Sequence, residues 1–183
     1  MKKVVLLGDS IRRIGYGTVV PEMLGKAYEV WQPEENCMYI KATFRSLYDW
    51  KENLQGADII HWNNGLWDVY NLFGDGTFST VDEYKENILR TAKILLKITP
   101  NVIFATTTPI RQGHPDIDIN SIIEFNNAVK PELEKLGVKI NDLYSVVEPN
   151  VNEYIREDDK IHLTEKGIQA LGREVSEFIK RIY

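Results

Sequence analysis

The sequence predicts a single α/β domain built on a parallel sheet of about five strands, with helices over both faces. Three observations lead there. Short apolar segments alternate with longer amphipathic ones, and the stretches between successive apolar segments are long enough for crossover connections. The 183 residues also contain no repeat, low-complexity tract or linker that would divide the chain, so residues 1–183 read as one domain.

Five segments read as strands because they are short, apolar and rich in β-branched or aromatic residues: Lys3–Leu7, Tyr28–Trp31, Asp58–Trp62, Val102–Thr106 and Val138–Ile140. Helical patterns lie between them. Pro21–Lys26 reads as a short first helix and Phe44–Leu54 as a second. Val81–Ile98 follows, with apolar positions at Ile88, Leu89, Ala92, Leu95 and Leu96 and a start signal in Ser79-Thr80-Val81-Asp82. Ile119–Leu136 and Thr164–Ile182 complete the set. At the last helix Thr164 is followed three residues on by Gly167 rather than Glu, which predicts half a capping box. Gly74-Asp75-Gly76 reads as a loop tip.

Composition narrows the function classes. Hydrophobic residues make up 43% and charged ones 27%, as in ordinary globular proteins. The 22 basic and 27 acidic residues give −5 with no long run of either sign, which offers no footprint for nucleic acid or an anionic membrane. Cys37 is the only cysteine, so no internal disulfide and no cysteine-based zinc site is available. Three scattered histidines without a helical pair argue against a metal centre, and no cofactor is expected. Met1-Lys2-Lys3 before four apolar residues mimics an export signal, but the run is short and Asp9 interrupts it, so a cytoplasmic location is expected.

In a parallel sheet of this kind functional groups gather beyond the carboxyl ends of the strands. Ser10, the Asn63–Asp68 stretch and the Thr107–Pro115 stretch each follow a predicted strand. Ser10 ends the sequence Gly8-Asp9-Ser10, directly after Val4-Val5-Leu6-Leu7. Near the other end of the chain, Asp159 stands three residues before His162, just ahead of the last helix. A serine hydroxyl becomes a strong nucleophile when a neighbouring base takes its proton and a third group holds that base. Ser10, His162 and Asp159 are the three residue types this requires. Each has a plainer alternative: a turn serine, a helix-start histidine and a helix-capping aspartate. Asp9 is expected to brace the turn.

These blocks, in this order, resemble the SGNH, or GDSL-type, hydrolases, which carry G-D-S after the first strand, G-x-N-D after the third and D-x-x-H before the last helix. The resemblance covers nearly the whole chain. It implies a three-layer α/β/α, flavodoxin-like fold and a serine esterase with Ser10 as nucleophile, His162 as base and Asp159 as orienter.

The oxyanion-binding blocks depart from the pattern. The third reads Gly65-Leu66-Trp67-Asp68, so Trp67 stands where the resemblance implies an oxyanion-binding Asn. An indole N–H donates one hydrogen bond with a different reach. Trp67 is therefore either a substitute donor or a packing aromatic, and Asn63 and Asn64 just upstream are alternative donors. In the second block Asn36 is the best match for the residue whose backbone N–H faces the oxyanion, and Cys37 beside it reads as a buried small apolar residue.

Arg12, Asn64 and His114 are candidate substrate contacts, Arg12 and its neighbour Arg13 either meeting an anionic or sugar group or forming solvated surface, whereas His61 inside a strand reads as packed. Trp62, Trp67, Tyr70 and Phe73 are candidates to line a pocket or to pack the core. The expected partner is a small-molecule or carbohydrate ester, most simply an acetyl ester. A thioesterase or lysophospholipase with a longer acyl pocket, and a non-catalytic glycan- or partner-binding protein on the same fold, are the alternatives.

Overall fold

The computed structural model describes residues 1–182. Five strands, β1 (Lys2–Leu7), β2 (Tyr28–Trp31), β3 (Ile59–Asn63), β4 (Val102–Ala105) and β5 (Lys139–Asn141), form one sheet in the order β2-β1-β3-β4-β5. Every neighbouring pair is parallel, with Val4 opposite Val30 on one side and Ile59 on the other. Val4 to Leu7 and Val102 to Ala105 are fully buried, as strands covered on both faces require.

The helices are α1 (Val20–Leu24), α2 (Ile40–Asp49), α3 (Lys51–Leu54), α4 (Val81–Leu95), α5 (Ile119–Lys135), α6 (Leu143–Val147), α7 (Val151–Tyr154) and α8 (Glu165–Arg181). From β1 the chain moves to one side to reach β2, then returns past β1 and continues through β3, β4 and β5. Right-handed crossovers therefore send α1 to one face and α2, α4 and α5 to the other. The contacts agree: α8 packs on α1, and α4 packs on both α2 and α5. The direction reverses at β1, so the carboxyl end of that strand, where Ser10 follows, is the switch point at which such sheets bind ligands.

Strand and helix limits differ from expectation by a residue or two at most ends. The second helix differs more: the expected single helix is α2 and α3, broken at Trp50, and α2 begins four residues early. Its early start has a tertiary cause, because a carboxylate oxygen of Asp68 accepts the Ile40 N–H at 3.0 Å. The segments α6 and α7 and the helical turns at Ile11–Gly15, Tyr16–Thr18 and Glu148–Asn150 carry no clear periodicity and were not expected.

Thr80 makes a full capping box with Glu83. Thr164 Oγ1 accepts the Gly167 N–H at 3.1 Å, the half box expected. A Cβ at position 167 would lie 2.3 Å from the Tyr154 carbonyl oxygen, which is why no glutamate can complete it. Among the described residues no helix is long and apolar enough to cross a membrane.

Candidate active site

β1 delivers the chain to a tight turn. Ser10 has a right-handed helical backbone (φ −62°, ψ −27°) and opens the turn Ile11–Gly15. Asp9 beside it points inward. Its Oδ1 accepts the Ile11 N–H at 2.9 Å, and its carbonyl oxygen accepts those of Arg12 and Arg13 at 3.2 and 2.9 Å. Burial raises the Asp9 pKa, against the lowering pull of the Asn63 side chain, the Ile11 N–H and Arg12. These contacts hold the turn and leave the half-buried Ser10 side chain on the outer side.

The second part of the site is a loop between α7 and α8. Ile155 and Leu163 form an antiparallel bridge, and the Arg156 N–H reaches the His162 carbonyl at 2.8 Å. At the tip Lys160 adopts φ +63°, a left-handed conformation uncommon for a residue with a side chain. That turn folds the Asp159 carboxylate back onto the residues that follow. Oδ1 accepts the N–H groups of Ile161 and His162 at 3.0 and 2.9 Å, and Oδ2 lies 2.9 Å from His162 Nδ1. Burial pushes the Asp159 pKa up, but the two backbone donors and the imidazole outweigh it and bring the value down to about 2. With Nδ1 held, Nε2 is the free ring nitrogen. The loop after β4 braces this tip, since the Arg111 N–H donates to the Lys160 carbonyl and Lys160 Nζ to the Gly113 carbonyl.

Ser10 and His162 open onto one cavity of about 530 Å³, although they come from opposite ends of the chain. Arg13, Asn36, Tyr39, Trp67, Tyr70 and Phe78 share its wall with Ile14, Leu66, Leu72 and Ile161. No hydrogen bond joins the Ser10 hydroxyl to the imidazole in this structure. Among the described residues no group of three or more His, Cys, Asp or Glu side chains is arranged to hold a metal ion.

Known structures share this architecture. A lipase/acylhydrolase from Enterococcus faecalis is similar over 98% of this chain and 96% of its own, with a TM-score of 0.81 and 21% identity. The acetyl xylan esterase AlAXEase is similar over 97% and 99%, with a TM-score of 0.79 and 19% identity. A GDSL-like lipase from Bacteroides thetaiotaomicron is similar over 100% and 89%, with a TM-score of 0.77 and 17% identity. This is the SGNH hydrolase fold. No protein-family model and no curated protein matches the sequence.

The fold distributes the other expected residues unevenly. Asn36 lines the cavity, and its side-chain oxygen accepts the Met38 N–H at 2.8 Å in a turn that drives Met38 to φ +51°. Cys37 seats this turn against the one carrying Ser10: its N–H donates to the Gly8 carbonyl, and its Sγ accepts the Gly8 N–H, both at 3.1 Å. The backbone N–H groups of Ser10 and Asn36 have no acceptor among the described residues. Trp67 lines the cavity at 39% exposure, and its indole N–H is likewise without a protein partner.

Asn63, Asn64 and Arg12 are turned away from the cavity, against the roles expected for them. Asn63 is buried beside Asp9 and accepts the Tyr16 hydroxyl at 2.7 Å. Asn64 accepts the Trp62 indole N–H at 2.7 Å and donates to the Met38 carbonyl at 2.8 Å, so both its amide oxygen and its amide nitrogen are engaged inside. Arg12 is buried, and its guanidinium donates to the carbonyls of Gly8, Pro33 and Glu35, pinning the two turns together. Arg13, one residue on, reaches the cavity instead. His114 does not line the cavity. It packs edge-on against Tyr70 at 5.6 Å, its Nδ1 accepts the Asp116 N–H, and burial lowers its pKa. Burial takes His61 down to about 3, which keeps it neutral in the core.

Asp68 was given no role in advance, yet it ties two walls of the site together. Beside its bond to Ile40, its other oxygen accepts the Ser79 hydroxyl at 2.6 Å. Burial pushes its pKa up to about 7, against the lowering effect of those two donors. The Gly-x-x-Asp spacing was the available signal.

Proposed function

We propose that this chain is a serine ester hydrolase in which Ser10 attacks the ester carbonyl, His162 takes its proton and Asp159 orients the ring. One observation carries the reading: Ser10 and His162 share one cavity, and Asp159 grips the far nitrogen of that imidazole. The grip keeps the proton on Nδ1 and leaves Nε2 to accept the one from serine. A serine–histidine hydrogen bond that is not closed without substrate is common, because such contacts tighten in the reactive complex.

The tetrahedral oxyanion is held by the backbone N–H groups of Ser10 and Asn36, with the Trp67 indole N–H as a third donor. Losing one donor of this type costs on the order of 10² to 10³ in turnover. His162 then protonates the departing alcohol, and water repeats the sequence on the acyl-enzyme.

Two acyl groups are in contention. Removal of acetyl from a carbohydrate draws support from the acetyl xylan esterase with the same fold. The apolar lining of the cavity favours a larger acyl group.

The purified protein is expected to hydrolyse p-nitrophenyl butyrate and to take up a fluorophosphonate probe, with both properties lost in Ser10→Ala. Equal labelling of the two proteins would remove Ser10 as nucleophile. Folded protein that takes up no label would instead be a binding protein on this fold.

A further inference from the structure

The cavity beside Ser10 is larger than an acetyl group requires. It measures about 530 Å³. Counting each heavy atom as water-sized, about 30 Å³, an acetyl group fills about 90 Å³ and an octanoyl group about 270 Å³. The polar groups in the wall, beyond Ser10 and His162, are Arg13, Asn36, the Trp67 indole N–H and the hydroxyls of Tyr39 and Tyr70. No carboxylate lines it, and the Asn36 side-chain oxygen is already taken by the Met38 N–H. A sugar ring buried here would leave most of its hydroxyls without acceptors, which is costly. An alkyl chain brings no polar group of its own that needs a partner.

Exposed apolar surface is also concentrated at this place. Of the nine exposed large apolar side chains among the described residues, Ile14, Trp67, Leu72 and Phe78 line this cavity. Met38 and Phe73 stand next to lining residues in the chain. Such clustering marks a binding surface.

The wall has a definite polarity about Ser10. Tyr39 leads into α2, and Leu66, Trp67, Leu72 and Phe78 lie on the segment leading into α4, two helices of one face, whereas of the apolar lining only Ile14 and Ile161 lie on segments leading to α1 and α8. His162 leads into α8 on the opposite face. The leaving alcohol must be protonated by His162, which puts it on the α8 side and the acyl chain on the other. The segment over that side is pinned as a hairpin. The Phe78 N–H donates to the Tyr70 carbonyl at 2.7 Å and the Ser79 N–H to the Asp68 carbonyl at 3.0 Å, while the Tyr39 and Phe78 rings pack at 5.0 Å.

Resting on the reading of Ser10 as nucleophile, we infer that the substrate is an ester of an apolar carboxylic acid of about six to ten carbons. Its chain lies along Tyr39, Leu66, Trp67, Leu72 and Phe78, and the Phe78 ring supplies apolar contact to the longer chains.

Two ester series test this below their aggregation concentrations: p-nitrophenyl esters of acids from acetic to decanoic, and acetates of progressively longer alcohols. In the acid series kcat/KM is expected to rise roughly two- to fourfold per added methylene, up to a maximum between hexanoate and decanoate. The alcohol series should stay flat. Phe78→Ala should lower the octanoate-to-acetate ratio of kcat/KM by about tenfold, and Phe78→Leu should restore most of it. A profile that is flat or falling from acetate to octanoate, with Ser10 labelled normally by fluorophosphonate, overturns the inference and leaves the nucleophile standing. A rise in the alcohol series alone also overturns it. No hydrolysis and no labelling would remove the nucleophile, and the inference with it.

Discussion

Asp68 makes the stability of this protein fall as pH rises, by an amount the structure allows to be worked out. The side chain is fully buried, and its pKa moves from 3.8 to about 7 because burial disfavours the charged carboxylate. A raised carboxyl pKa means the folded state holds its proton more tightly than the unfolded chain. Between the two values the folded form is protonated and the unfolded form is not, so stability declines with pH across that window. From pH 5 to pH 8 the two titration curves differ by about two proton-pH units, or about 2 to 3 kcal/mol at about 1.4 kcal/mol per unit. Asp68→Asn mimics the neutral form, keeps an oxygen for the Ile40 N–H and offers a donor to Ser79 Oγ. It therefore removes this slope. Urea unfolding of both proteins at pH 5, 6, 7 and 8 isolates the effect, since other titrating groups cancel in the difference. The native protein should lose about 2 to 3 kcal/mol relative to Asp68→Asn over that range. A difference that stays constant across it would refute the argument that Asp68 is buried and protonated at mild acidity.

Two further outcomes are expected. Asp159→Asn presents an amide to His162 Nδ1, favours the wrong tautomer and should lower kcat for ester hydrolysis by about 10³ to 10⁴ with the circular dichroism spectrum unchanged; a loss under tenfold would show that the carboxylate does not orient the ring. Gly65→Ala should cost about 2 to 4 kcal/mol in denaturant unfolding, because Gly65 has φ +144° and a Cβ there would lie 2.0 Å from Thr107 Oγ1.

Much of the architecture was legible because it rests on local patterns. An apolar run such as Val4 to Leu7 is buried from both sides in any parallel sheet, and the Thr80 and Thr164 caps act within three residues. The Asp159–His162 pair was legible for the same reason, since one short loop makes every bond between them. Asp9 likewise braces its turn through neighbours in the chain. Where partners lie far away, the reading failed. The start of α2 depends on Asp68, 28 residues on, and no feature between Asn36 and Phe44 announces it.

Adjacent residues of like chemistry separate the two sources of information most clearly. Arg12 and Arg13 are identical in type, yet Arg12 turns in to three carbonyls while Arg13 faces the cavity. Asn63 and Asn64 satisfy buried partners, Tyr16 in one case and Trp62 with Met38 in the other, and Asn36 alone of the three stands at the cavity wall. Composition and order along the chain established the strands, the crossovers and the family of blocks, because hydrophobic burial and local hydrogen bonding act over a few residues. Which polar side chain faces the cavity depends on which buried donors and acceptors elsewhere must be satisfied, and those meet only once the sheet has assembled.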